Sequence, residues 1–343
     1  MLRTLFNKAA RPPYLPEKPT VLVSTMGDDK TRGDSHGYIG LGKAMAAKLG
    51  GVYHYVDEDV LKTDYPDQNE RDAFQLYFQD KGAPDIVFAR NHSWQAPLSA
   101  HDPASRPFVI HDYNEDIASR FAGKDAMDEE LVAHHLTSTS LRQEGQRFRS
   151  AHPDLKGSLI AVMVADYSSY GLAAALLPRL SSFPQATLFL CSSRRVSTPS
   201  YNDTLSSLHK AIFASGMQNR IHVTGYDFER GQKKNLYNPY IGLLSQADHI
   251  VICGTSQSIV SEALSTGKSV HLYQDFNRYD CLESKGYVSV FNAASGTVPL
   301  QTKTLAPLNQ TEKIADRLIA KYRRAEQKKL GLFGRACAYM MDG

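Results

Sequence analysis

The stretch from Gly254 to Gly267, GTSQSIVSEALSTG, holds the side chains best suited to gripping a phosphorylated ligand. Gly254 permits a tight turn at the end of an apolar run, and Ser256 and Ser258 then fall at the start of a helix. Unbonded N–H groups and the helix dipole at such a start favour an anion, a diphosphate among them. Ser261 and Glu262 lie one turn further on, where a carboxylate suits the two vicinal hydroxyls of a ribose. Gly267 ends the helix in the usual way. An ordinary strand-helix-strand unit with serine as its N-cap has the same composition, so the pattern by itself leaves both readings open.

Other groups are spaced to act with this one. Arg194 and Arg195 follow the apolar run Thr187–Ser192, so they project from a strand end. Guanidinium forks there bind diphosphate oxygens and stabilise a departing nucleoside diphosphate. The run Leu159–Val164 leads into VADYSSYG, where Ser168, Ser169 and Gly171 offer donors while Asp166 carries a negative charge towards the same place. Nearer the N-terminus, Gly33, Gly37, Gly40 and Gly42 read as a flexible loop, with a helix from Ile39 to Leu49. Ala44 after Gly42-Lys43 breaks the phosphate-loop pattern. Asp34 and His36 in this loop suit general-base work on an acceptor hydroxyl, His36 more so because it titrates near working pH. Asp28 is a weaker base, and Asn91 and His92 form a further polar pair after a strand.

Composition removes several alternatives. The 39 basic and 36 acidic residues leave a net charge of +3, too mild to argue for a nucleic-acid partner. With 42% hydrophobic and 22% charged residues the chain is globular. Cys191, Cys253, Cys281 and Cys337 are scattered, and the 12 histidines show no metal-ligand spacing. No metal and no cofactor is therefore expected, and a reducing, cytoplasmic setting fits best. No run is apolar enough to span a membrane. The N-terminal MLRTLFNKAARPPYLPEK is either a frayed tail or a short basic helix making peripheral contact with an inner membrane face.

These groups need a frame, and the frame is α/β. Strands are expected at Val21–Met26, Val52–Val56, Asp85–Arg90, Phe108–Tyr113 and Leu131–Thr137, with helices at Ile39–Leu49 and Glu70–Phe78. In the second half strands are expected at Ser158–Ala165, Thr187–Ser192, Ile221–Thr224, His249–Cys253 and Ser269–Tyr273. Helices at Leu172–Leu180, Thr204–Ala214, Pro239–Ala247 and Ser258–Ser265 alternate with them. Continuous apolar runs such as LIAVMV are typical of parallel strands buried on both faces. At 343 residues the order implies two doubly wound domains facing across a cleft. We read residues 1–18 as a tail, 19–156 as the first domain, 157–310 as the second, and 311–343 as a helix, from Thr311 to about Lys329, with its tail.

The stretch from Asn238 to Tyr273, with ADHIVIC, SQSIVSEA and TGKSV, resembles the nucleotide-sugar motif of GT-B glycosyltransferases. It resembles more closely a family named for a plant mitochondrial-fission protein and bacterial O-antigen-modifying enzymes. SSRRVSTP at Ser192–Pro199, PDIVFARNHS at Pro84–Ser93 and HHLTSTSL at His134–Leu141 extend the resemblance. It implies two Rossmann-like domains of GT-B type and metal-independent sugar transfer from a nucleotide-sugar donor to a saccharide or lipid-linked acceptor. Glu262 would hold the ribose. The family's first C-terminal strand runs into a Gly-Gly turn, and this chain departs from that with VADYSSYG. The competing reading is a non-catalytic, membrane-associated scaffold that keeps the fold. An epimerase would need further carboxylates that the sequence does not place.

Overall fold

The computed structural model describes residues 18–24, 33–82, 84–89, 107–110, 131–166, 171–273, 279–295, 298–303 and 305–341. The N-terminal tail, Asp28, Asn91, His92, Ser168 and Ser169 lie outside them. The chain divides into two compact units. One comprises Met1–Ala122, Ala133–His135 and Thr311–Gly343, the other Gly123–Val132 and Leu136–Gln310.

Among the described residues the first unit has four parallel strands, β1 (Thr20–Ser24), β2 (Val52–Val56), β3 (Ile86–Ala89) and β4 (Phe108–Ile110), in the order β2-β1-β3-β4. Alternate residues of β1 and β3 face opposite sides, as strand geometry requires. Val21, Val23, Ile86 and Phe88 pack with Tyr38, Leu41 and Met45 of α1 (Gly33–Leu49). Leu22 and Val87 pack on the other side with Leu61 of α2 (Glu58–Asp64) and Tyr77 of α3 (Glu70–Lys81). Asp57 caps α2 by accepting from the Val60 N–H at 2.9 Å.

Among the described residues the second unit has six parallel strands in the order β10-β9-β8-β5-β6-β7. They are β5 (Ser158–Val164), β6 (Ala186–Ser192), β7 (Ile221–Tyr226), β8 (His249–Cys253), β9 (Ser269–Tyr273) and β10 (Val288–Phe291). Around them lie α4 (Ser138–Ala151), α5 (Leu172–Leu176, prolonged by a 3-10 turn Leu177–Leu180), α6 (Thr198–Ala214) and α7 (Phe228–Lys233). They are followed by α8 (Tyr240–Gln246), α9 (Gln257–Leu264) and α10 (Asp280–Ser284). Ala161, Met163, Ile250 and Ile252 bury one sheet face with Phe148, Leu243 and Ala263. Ile160, Val162, Leu188 and Val251 bury the other with Leu176, Leu180 and Leu208. Helices on both faces of a parallel sheet make each unit doubly wound, as expected.

Four expectations need correction. The expected loop around Gly33–Gly42 is the opening of α1, which starts at Gly33 rather than Ile39. Its glycines serve close packing: a Cβ at Gly42 would lie 2.2 Å from Val23 and one at Gly40 would lie 2.1 Å from the His134 carbonyl. Packing thus overrides the usual cost of glycine in a helix. Leu131–Thr137 makes no ladder among the described residues, and side chains bond the backbone of Val132 and His134 instead. The Ser261 hydroxyl accepts from the Val132 N–H at 2.8 Å, and Thr311 Oγ1 both accepts from the His134 N–H and donates to its carbonyl, each at 2.9 Å.

The expected boundary near Gly157 lies earlier, since α4 belongs to the second unit. There Phe148 is fully buried, and a Cβ at Gly242 would lie 2.5 Å from the Glu144 carbonyl. The final helix, α11 (Gln310–Met341), runs past Lys329 and belongs to the first unit rather than standing apart. Ile314, Ala315, Leu318, Ile319 and Tyr322 complete that unit's core. Lys48 pairs with Glu312 at 2.9 Å and Asp316 at 2.8 Å. The unit therefore closes its core only when residues 311–322 are present. Leu318→Ala is expected to lower stability by about 2–5 kcal/mol, read from denaturant unfolding. A loss below about 0.5 kcal/mol would contradict the placement of α11 in the core.

Candidate functional site

The chain enters the second sheet at β5, winds to one side through β6 and β7, then returns to the other side of β5 with β8, β9 and β10. Strand order therefore reverses between β5 and β8, and ligands of such sheets bind beyond the carboxyl ends at that point. The register Val164↔Cys253 brings Asp166 opposite the Gly254–Thr255 turn, and the Ala165 N–H still donates to the Cys253 carbonyl at 2.8 Å. From the other side, Ser193 donates its hydroxyl proton to the Ala165 carbonyl at 2.7 Å. That bond ties the end of β6, with exposed Arg194 and Arg195, to the same place.

Gly254 has φ +117, a conformation glycine adopts without strain. Ser256 occupies the N-cap position of α9 but makes no side-chain capping bond. Ser258 is half-buried in the first turn. Both serines and Gly254 thus stand where the sequence places them. Ser261 is 2% exposed, and its hydroxyl accepts from the Val132 N–H.

Glu262 is the unusual group of α9. It is 4% exposed, and its carboxylate accepts from the Tyr240 hydroxyl of α8 at 2.5 Å. Burial raises the Glu262 carboxyl from 4.5 to about 7, a rise that the Tyr240 bond only partly opposes. Burial and the adjacent carboxylate push the Tyr240 hydroxyl well above its ordinary value, so it remains the donor. Nothing in the spacing of Tyr240 and Glu262 signalled this pair. The two meet because α8 and α9 pack on the same face of the sheet.

In the first unit, His36 lies in the first turn of α1, not in a loop, and Asp34 lies in the same turn. The His36 ring stands 4.2 Å from that of His135, centroid to centroid, at 57°. Burial holds His135 down to about 3 and His134 to about 4. His134 is 2% exposed, and among the described residues neither ring nitrogen has a hydrogen-bond partner. Sequence reading found His36 and missed His135 as its neighbour. The HHLTSTSL motif marked the pair without showing which helix it meets.

The family described as Mitochondrial fission ELM1 matches residues 97–322, and the chain belongs to it. A Rickettsia prowazekii (strain Madrid E) protein called Uncharacterized protein RP120 is 26% identical over 154 residues, which is 42% of this chain and 39% of that protein. Among solved structures, a UDP-GlcNAc 2-epimerase from Neisseria meningitidis bound to UDP-GlcNAc aligns at 12% identity and TM-score 0.47, covering 90% of this chain and 93% of that one. AviGT4, a glycosyltransferase involved in avilamycin A biosynthesis, aligns at 14% identity and TM-score 0.42, covering 91% and 98%. Among the described residues no helix is long and apolar enough to cross a membrane.

The raised Glu262 carboxyl has a measurable consequence. A folded pKa above the unfolded one means the fold favours the proton, so this stability is present at low pH and is lost as pH rises from 4.5 to about 7. Glu262→Gln removes that dependence. Between about pH 4 and pH 8 the wild type is expected to lose on the order of 3 kcal/mol more stability than the variant. Parallel pH profiles in denaturant unfolding would contradict the buried carboxyl.

Proposed function

We propose that the chain moves a sugar from a nucleotide-sugar donor to a hydroxyl acceptor on a saccharide or lipid-linked glycan, without a metal ion. The observation that supports this reading most is the position of Gly254–Glu262, whose turn and helix stand beyond β8 at the reversal point of the second sheet. In this reading the amides of Thr255 to Ser258 hold the diphosphate, and Glu262 accepts from the ribose through Oε1. Arg194 and Arg195 neutralise the departing nucleoside diphosphate, with Ser168 as an added donor. His36 takes the acceptor's proton, with Asp34 beside it in the same helical turn. The positive potential comes from the paired arginines and the helix start, which is why no cation is required.

One observation favours a second reading, a non-catalytic scaffold attached to a membrane. The Asp166 carboxylate already sits on the Thr255 N–H at 3.1 Å, where an anion would bind. Thermal unfolding across uridine, guanosine, adenosine and cytidine diphosphates and their sugars separates the two readings. At 100 times its dissociation constant, the correct nucleotide is expected to add about 2.7 kcal/mol, in EDTA as without it. Stabilisation by none of them would overturn nucleotide-sugar transfer, and stabilisation only with magnesium or manganese would overturn the metal-free account.

A further inference from the structure

The carboxyl ends of β5 and β8 bring the acidic side chain of Asp166 onto the Gly254–Thr255 turn. Its Oδ2 accepts from the Thr255 N–H at 3.1 Å and from the Thr255 hydroxyl at 3.5 Å. The seat is shaped to take it. A Cβ on residue 254 would lie 2.6 Å from the carboxylate carbon and from both of its oxygens, so only glycine leaves room for this group. The carboxylate thus lies at the point of strand-order reversal and takes the backbone donor that a bound anion would use. An ionised carboxylate has the acceptor chemistry of a phosphate oxygen and the same sign of charge.

We propose, resting on the nucleotide-sugar reading, that Asp166 is an internal competitor of the donor's diphosphate. It fills the diphosphate's place when the site is empty, leaves it when the donor enters, and returns to expel the nucleoside diphosphate product. Two anions do not share one donor: like charges at contact distance repel, and the Thr255 N–H that Asp166 holds serves only one of them at a time. The competition acts on the phosphates and leaves recognition of the nucleoside unchanged. Ligands with the same base but no phosphate are therefore indifferent to Asp166.

Calorimetric titration of the full chain in EDTA tests this with uridine, guanosine, adenosine and cytidine diphosphates and the matching nucleosides. Asp166→Asn keeps the shape and an oxygen for the Thr255 N–H but removes the charge. The expected result is at least tenfold tighter binding of the preferred diphosphate by Asp166→Asn, with nucleoside affinity unchanged. Asp166→Ser, which also removes the charge, is expected to give the same gain and keeps the test open if the first variant does not fold. Equal diphosphate affinity in wild type and variants would overturn the competitor while leaving the nucleotide reading intact. Weaker binding by the variants, as when a carboxylate helps to hold the ligand, would overturn it too. Binding of no diphosphate by any of the three proteins would overturn the competitor together with the nucleotide reading.

Discussion

The pairing of β5 with β8 is the contact on which the rest of the second unit depends. It is the only place in that sheet where the chain's two windings meet, and its register runs from Ile160↔His249 to Val164↔Cys253. The ladder is buried on both faces, so its polar backbone must be bonded within the sheet, and a shift by one residue would turn every apolar side chain to the wrong face. That fixed register determines what emerges at the carboxyl ends: Asp166 from one strand and Gly254 from the next. The chemistry available at the site follows from strand pairing and not from loop choice.

Behind the turn, Glu262 and Tyr240 form a polar pair inside an otherwise apolar layer. A buried carboxylate is unfavourable unless it is bonded, and the Tyr240 hydroxyl supplies a donor from the neighbouring helix. The pair locks α8 and α9 to each other while leaving the carboxyl near neutrality in its titration. A group poised in this way changes its charge readily when a ligand brings hydroxyls or displaces water. The same residue thus bears on folding and, under the proposed function, on ribose recognition as well.

Much of this was legible in the sequence because buried parallel strands are written as apolar runs. His249–Cys253 and Ser269–Tyr273 appear with the bounds read from composition, and Gly254, Ser256 and Ser258 stand at the strand end and helix start expected of them. What was illegible depended on partners distant in the chain. Gly40 and Gly42 read as loop residues because local propensity knows nothing of Val23 or the His134 carbonyl pressing on the helix. Leu131–Thr137 has the composition of a strand, yet its backbone bonds to Ser261 and Thr311. Ser261 was grouped with the ligand-binding serines, and only the tertiary fold shows that its hydroxyl accepts from the Val132 N–H. Asp166 was noticed as a charge in the wrong place, but its seat over Gly254 required the strand register.

The central claim is that the Gly254–Ser258 turn at the β5–β8 junction is an anion site for a nucleotide ligand. A crystal structure of the chain with its tightest-binding nucleoside diphosphate tests it most directly. The account requires phosphate oxygens within hydrogen-bond distance of the amides between Thr255 and Ser258, with the Asp166 carboxylate moved off the Thr255 N–H. A diphosphate bound elsewhere, with Asp166 still on Thr255, would contradict it.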